Sequence, residues 1–385
     1  MVTDDFFRAR LDQMIDLRHP LAVLAGRLPW ARIEAALAPA FARKNRSGQV
    51  LPGSDLFGTT LEIAGAGVSA AGRPRLPIRL MAALRYLKHA FNLSDEELVA
   101  RWSENVVWQY FSGQDYYTPT LPCDATQIGR FRTAIGEAGV EELLKATIDT
   151  AVQSKAVRPA EFERVIVDTT VQEKAIAHPV DSRLLEIARA KVVQAAKRVG
   201  IALKQTFVKE GKELRRKAGG YAHAKQFKRL RRTVKRQRTL LGIVLREIKR
   251  KLTSASSESP GAMTHLNTQL ERAERIRTQQ PKDKNKLYAL HAPEVECIGK
   301  GKARKPYEFG VKVSIVTTNA CSPGGQFVLH AAALPGNPYD GHTLRTAIED
   351  TQRLTGREIE RVYVDKGYRG HDAPKPRSVF ISGQK

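Results

Sequence analysis

The chain has 385 residues, 42% of them hydrophobic, and a formal net charge of +24, with a pI near 10.1. That is apolar material enough for a buried core and about two or three domains. The basic excess selects a polyanionic partner, because Lys and Arg gain affinity by displacing counterions from phosphates. A membrane partner is not expected: no apolar run approaches the ~18 residues of a spanning helix, and Met1 to Phe7 lacks the basic-then-apolar order of a signal peptide. The cysteines Cys123, Cys297 and Cys321 are far apart and form no Cys-x-x-Cys pair. They argue for a reducing compartment and for packing roles rather than zinc or disulfides.

Residues 1–45 read as helical, with Ile33, Ala36 and Leu37 on one apolar face and Trp30 as a packing residue. Residues 46–76, rich in Gly, Ser and Pro, read as a linker. From Pro77 to Gly113, Leu80, Leu84, Leu87 and Phe91 recur at helical spacing. Ser94 followed by Glu97 makes a capping box, opening a helix with Leu98, Trp102 and Val106 on one side. Asp124 caps a further helix through Phe131 and Arg132 that ends near Gly136. An all-α domain over 1–150 follows. Its short helices suit a helix-turn-helix-like DNA-binding module and equally a bundle that packs or dimerises.

An α/β domain is expected over 160–385, interrupted by a basic helical insertion at 181–305. The insertion carries Leu184, Leu185, Ile187 and Ala188, then Leu230, Leu240, Leu241, Ile243 and Leu245, and roughly half of the chain's Lys and Arg. Its densest run, from Lys225 to Arg238, includes Lys228, Arg229, Arg231, Arg232, Lys235 and Arg236. Like charges three and four residues apart repel on an isolated helix. A DNA backbone contact relieves that repulsion without reading bases; the alternative is a solvated basic face. After the Ser-rich Thr253–Pro260 comes a helix at 261–279. Strands are expected at Tyr307–Thr318 and Phe327–Leu334, hinged at Pro323-Gly324-Gly325, then a helix from His342 to Leu354 ended by Gly356. A strand into Asp365 and a last one at Ser378–Ile381 complete the chain. Without the insertion, this order is close to that of a ribonuclease H-like mixed sheet.

Two acids stand where strands are expected to run out. Arg164 to Val167 is a short β-branched run closing on Asp168, and Ile359 to Val364 closes on Asp365 before a Gly-containing turn. Acids at the C-terminal rim of a sheet sit where ligands of α/β proteins bind. Two of them from neighbouring strands can share a divalent cation with a substrate phosphate.

With Val167-Asp168-Thr169-Thr170-Val171-Gln172, Gly336-Asn337-Pro338-Tyr339-Asp340-Gly341-His342-Thr343-Leu344 and Tyr363-Val364-Asp365-Lys366-Gly367-Tyr368-Arg369-Gly370, and with the helical block Arg79–Gly113 followed by Arg130-Phe131-Arg132, the chain resembles bacterial insertion-sequence transposases of the DDE type. The group it resembles is the insertion-sequence-five group, over residues 20–385. The resemblance implies two Mg²⁺ or Mn²⁺ ions held by three carboxylates, with Asp168 and Asp365 as the first two. The partners it implies are double-stranded DNA at element ends and target, and further copies of the chain, at the nucleoid of a bacterial cytoplasm. The third carboxylate of the family is a Glu beyond the last strand. No glutamate follows Asp365, so that ligand is expected to be missing, through truncation or completion by frameshifting. Asp372 reads as a surface-loop acid, and Glu349 and Asp350 precede Asp365, so none replaces it. His342 reads either as a DNA contact or as a residue at a helix start, and Tyr368 and Arg369 as candidates for touching the DNA backbone. The rival readings are a non-catalytic DNA-binding remnant and a metal nuclease of related fold.

Overall fold

The computed structural model describes residues 9–41, 76–252, 260–299, 306–320 and 325–384. Two compact units divide it. The first takes Met1–Val165, Thr317–His330 and Glu349–Arg361; the second takes Ile166–Val316, Ala331–Ile348 and Val362–Lys385.

Among the described residues, the first unit opens with the helices α1 (Leu11–Met14), α2 (Pro20–Arg27), α3 (Trp30–Leu37), α4 (Ile78–Ala90), α5 (Asp95–Glu104), α6 (Val106–Phe111) and α7 (Ala125–Gln153). Leu80, Leu84, Leu87, Leu98, Trp102 and Phe131 share one buried core. Trp30 is packed in it, its Nε1 donating to Ala25 O at 2.8 Å. Ile33 and Leu37 are buried but Ala36 is exposed, so the buried stripe of α3 is narrower than its apolar residues suggested. Phe91 is likewise exposed, because α4 stops at Ala90 and Phe91 leaves the helical path as its C-cap. The capping box forms with both arms: Glu97 N donates to Ser94 Oγ at 3.1 Å, and Ser94 N donates to Glu97 Oε2 at 3.2 Å. Asp124 caps α7 through Thr126 N at 2.8 Å. Gly136, with φ 61° and ψ −160°, leaves the helical path, so the first stretch of α7 ends there as expected and a second follows across the kink, with Leu143, Ala146 and Ile148 as its own buried face. The linker 46–75 lies outside the described residues.

The chain continues through β1 (Arg164–Glu173), α8 (Asp181–Arg198), α9 (Val208–His223), α10 (Phe227–Leu252), α11 (Pro260–Thr278), β2 (Glu296–Gly299), β3 (Tyr307–Thr318), β4 (Val328–Leu334), α12 (Leu344–Thr355), β5 (Arg361–Val364) and β6 (Ser378–Ile381). The sheet runs β2-β3-β1-β5-β6, with β4 also paired to β3. Strand β2, four residues long and antiparallel to β3 from Glu296↔Gly310 to Gly299↔Tyr307, is too short to leave a periodic signal. Strand β1 corrects one expectation: it does not run out at Asp168 but continues to Glu173. Thr169, Thr170 and Val171 are β-branched and favour the extended chain. Gly310 on β3 lets the neighbouring backbone approach, since a Cβ there would stand 2.1 Å from Gln172 O. The turn at Pro323-Gly324, Cys321 and the Ser-rich 253–259 lie outside the described residues.

Between β1 and β2 in sequence, α8 to α11 enclose a core of their own. Leu184, Leu185, Ala188, Leu241, Leu245, Leu266 and Leu270 are buried in it, so the helical segment is held by packing despite its charge.

Candidate active site

The strand order sets β1 beside β5, so that Asp168 lies on one strand and Asp365 directly follows its neighbour. Each carboxylate is oriented by local backbone. Asp168 Oδ1 accepts from Thr169 N at 2.8 Å, and Asp365 Oδ1 accepts from Gly367 N at 2.9 Å in the turn after β5. Both side chains are exposed, as a group that meets substrate has to be.

A third acid, Asp340, joins them from the turn before α12. Its Oδ1 accepts from Thr169 Oγ1 at 3.0 Å, next to Asp168. Its Oδ2 reaches Gly367: a Cβ at that glycine would lie 2.9 Å from Asp340 Oδ2 and 3.0 Å from Asp365 Oδ1. Lys312 on β3 neutralises Asp340, with Nζ 2.5 Å from Oδ1, and donates also to Pro338 O at 2.8 Å. Near the acids lies Tyr368, fully buried, with Thr343 beside its hydroxyl. Burial first, then the charges of Asp340, Asp168 and Asp365, push that phenol well above its ordinary pKa. One buried group therefore feels all three carboxylates.

Tyr368 cannot touch a DNA backbone as the sequence suggested. Its ring sits in a three-residue 3₁₀ turn, Lys366–Tyr368, that folds it inward. Arg369 is exposed and offers its carbonyl to Tyr339 Oη at 2.7 Å. His342 is exposed in a 3₁₀ turn just ahead of α12, edge-on to Tyr339. Asp372 is no free surface acid: it is half-buried and its Oδ1 accepts from Arg345 N at 2.9 Å, capping the first turn of α12.

The donor set of the three aspartates is all oxygen, which suits a hard divalent cation. Among the described residues, no group of three or more His, Cys, Asp or Glu side chains is gathered closely enough to hold one metal ion. In this arrangement the cation at Asp340 is the ammonium of Lys312. Asp340 was missed in the sequence because an acid four residues ahead of a helix reads as a turn or cap.

The six basic residues expected to touch DNA, Lys228, Arg229, Arg231, Arg232, Lys235 and Arg236, are all exposed on α10, but they divide. Arg236 is engaged by Glu210 at 2.6 Å. Arg229 bonds Gln226 and lies over the Tyr221 ring. Arg231 and Lys235 line a cleft of about 1260 Å³ together with Arg238 and the α9 cations Lys212, Arg215 and Arg216. The repeat of basic residues on α9 was the available signal for these three. No helix among the described residues is long and apolar enough to cross a membrane.

Residues 57–134 match a transposase domain, DUF772. A Rhizobium meliloti protein described as "Uncharacterized protein ORF8 in nfe locus" is 42% identical over 224 residues, 58% of this chain and 95% of that protein. No solved structure matches. The chain belongs to the family of that Rhizobium protein, and its residues 57–134 carry the similarity to a transposase domain.

Proposed function

We propose that the chain is a DDE-type transposase polypeptide of the insertion-sequence-five group, with a ribonuclease H-like catalytic domain interrupted by the basic helical insertion. It binds the terminal inverted repeats of its element as a homo-oligomer at the bacterial nucleoid, and cuts and joins DNA. The observation that carries this reading is the convergence of Asp168, Asp340 and Asp365 over Tyr368. The strand order β4-β3-β1-β5-β6, with β1 central, supports the ribonuclease H-like assignment.

Asp168 and Asp365 would be the residues that hold Mg²⁺ or Mn²⁺, with Asp340 as the third acid in place of the expected glutamate. Such ions would supply Lewis-acid chemistry for displacement at a phosphodiester. The chain's own groups do the rest. The amides of Thr169 and Gly367 fix the two carboxylates, which shortens the search for a reactive geometry. Lys312 holds Asp340 in place and brings positive charge to the site that receives a phosphodiester.

The ion pair at Asp340 also favours a second reading, a DNA-binding protein without cleavage. The two separate in a Mg²⁺-dependent cleavage assay on DNA carrying the element's end. Asp168→Asn and Asp365→Asn are expected to abolish cutting and leave binding intact. Loss of binding by a folded variant would refute this division of labour, and wild type that binds without cutting would select the second reading.

A further inference from the structure

The cleft among α8, α9 and α10 is more than a basic surface. At one end stands the N-terminus of α8, eighteen residues long and with no side chain capping its first turn. Such an end directs unsatisfied amides and a partial positive charge at an anion. Ser182, in that first turn, lines the cleft. It is 7% exposed, yet its Oγ has no hydrogen-bond partner. A buried hydroxyl is normally satisfied. Arg238, also lining the cleft, has its Nε buried without a partner. Its Nη2 is anchored on Gln279 O at 3.1 Å and lies 3.5 Å from Asp181.

The charge around these groups is one-sided. The acids of α9 are taken up elsewhere, Glu210 by Arg236 and Glu213 by Lys217. Among the described residues, no ion pair engages Lys212, Arg215, Arg231 or Lys235, and Asp181 is the one acid in the cleft wall. Val180, Ala218, Leu230 and Val234 supply an apolar floor, and among the described residues no aromatic ring lines the cleft. A base would find no stacking platform, whereas deoxyriboses could lie on the floor with their phosphates at the rim.

We propose that this cleft is a phosphate-binding site. One phosphate sits at the α8 N-terminus against Ser182 and Arg238, and its neighbours along a DNA strand meet Arg215, Arg231 and Lys235. The choice of DNA over a soluble polyphosphate rests on the transposase reading; the anion site does not.

The test is fluorescence anisotropy of the full chain with a labelled duplex over a KCl series, beside thermal shift with inorganic pyrophosphate. The variant Arg215→Ala/Arg231→Ala/Lys235→Ala is expected to lower the slope of log affinity against log salt by about 0.9 for each phosphate that is no longer neutralised. Ser182→Ala is expected to weaken binding about tenfold with the slope unchanged, as for a neutral group that donates to an anion. Arg236→Ala, engaged by Glu210, is the control and should leave the slope alone. An Arg236→Ala effect equal to that of the triple variant would overturn the built site in favour of a diffuse field. Duplex binding unaffected by the triple variant and Ser182→Ala would sink the cleft while leaving the transposase reading standing. A pyrophosphate shift abolished in the triple variant, with no duplex binding by wild type, would keep the anion site and overturn DNA as its source. No response to either ligand would overturn the site altogether.

Discussion

Replacing Glu186 with Gln tests how the walls of the phosphate cleft are held. Glu186 and Arg189 lie one turn apart on α8, with side chains 8% and 4% exposed. Two hydrogen bonds of 2.8 and 2.7 Å join them, and Arg189 Nη1 donates to Thr206 O at 2.6 Å just ahead of α9. Gly211 of α9 leans on the same carboxylate, since a Cβ there would stand 2.2 Å from Glu186 Oε2. The pair thus ties α8 to the start of α9. Removing one partner of a buried pair leaves a charge without its counter-ion and costs about 3–5 kcal/mol. Gln retains one oxygen for the guanidinium, so the loss should fall near 3 kcal/mol, at the lower end of that range. Glu186→Gln/Arg189→Met removes the stranded charge as well and should cost less than the single change. Urea unfolding followed by far-UV circular dichroism reads the loss. Tryptophan fluorescence would miss it, because Trp30, Trp102 and Trp108 all belong to the first unit. A single variant costing under about 1 kcal/mol, or a double variant costing more than the single, would refute the argument.

Three further outcomes are expected. Gly367→Ala should displace Asp340 and Asp365 together, because its methyl would fall 2.9 and 3.0 Å from their oxygens; cleavage should drop about 10- to 100-fold with DNA affinity retained, and full activity would contradict the proposed site. His330 in the first unit is held below the usual 6.5 by burial, opposed by Asp350, Glu141 and Glu137 and assisted by Arg353. Folding therefore disfavours its protonation, and the stability it contributes is present above pH 6.5 and lost as pH falls below that value. The slope is at most about 1.4 kcal/mol per pH unit, and His330→Gln should flatten it in urea unfolding between neutral and mildly acidic pH. Burial, then Asp124 and Asp95, push the Cys123 thiol up to about 11, so peptide mapping after iodoacetamide treatment at neutral pH should find Cys123 unmodified in the native chain and modified after unfolding.

Local signals carried the helices well and tertiary contacts poorly. The Ser94–Glu97 box and the Asp124 cap were legible because a cap satisfies orphan amides within three residues of itself. Strand β3 was legible because apolar and polar or small residues alternate from Tyr307 to Ile315. The end of β1 was not, since whether Thr169 to Glu173 stay extended depends on pairing with a strand more than a hundred residues away. Phe91 and Ala36 show the same limit: spacing places a residue on a face, but the helix end and the width of the covering layer decide what is buried.

The candidate site divides along the same line. Asp168 and Asp365 announce themselves because each follows an apolar β-branched run, a pattern contained in a few residues. Asp340 does not, because its role comes from contacts with Thr169, Lys312 and Gly367, supplied by three other parts of the chain. The basic helix follows suit. Composition marked α10 as a DNA contact, but the partition of its charge is set by α9, where Glu210 removes Arg236 and three cations join Arg231 and Lys235 across the cleft. Charge density marks a helix as a candidate for meeting phosphate. The acids packed beside it tell which of its cations remain free to do so.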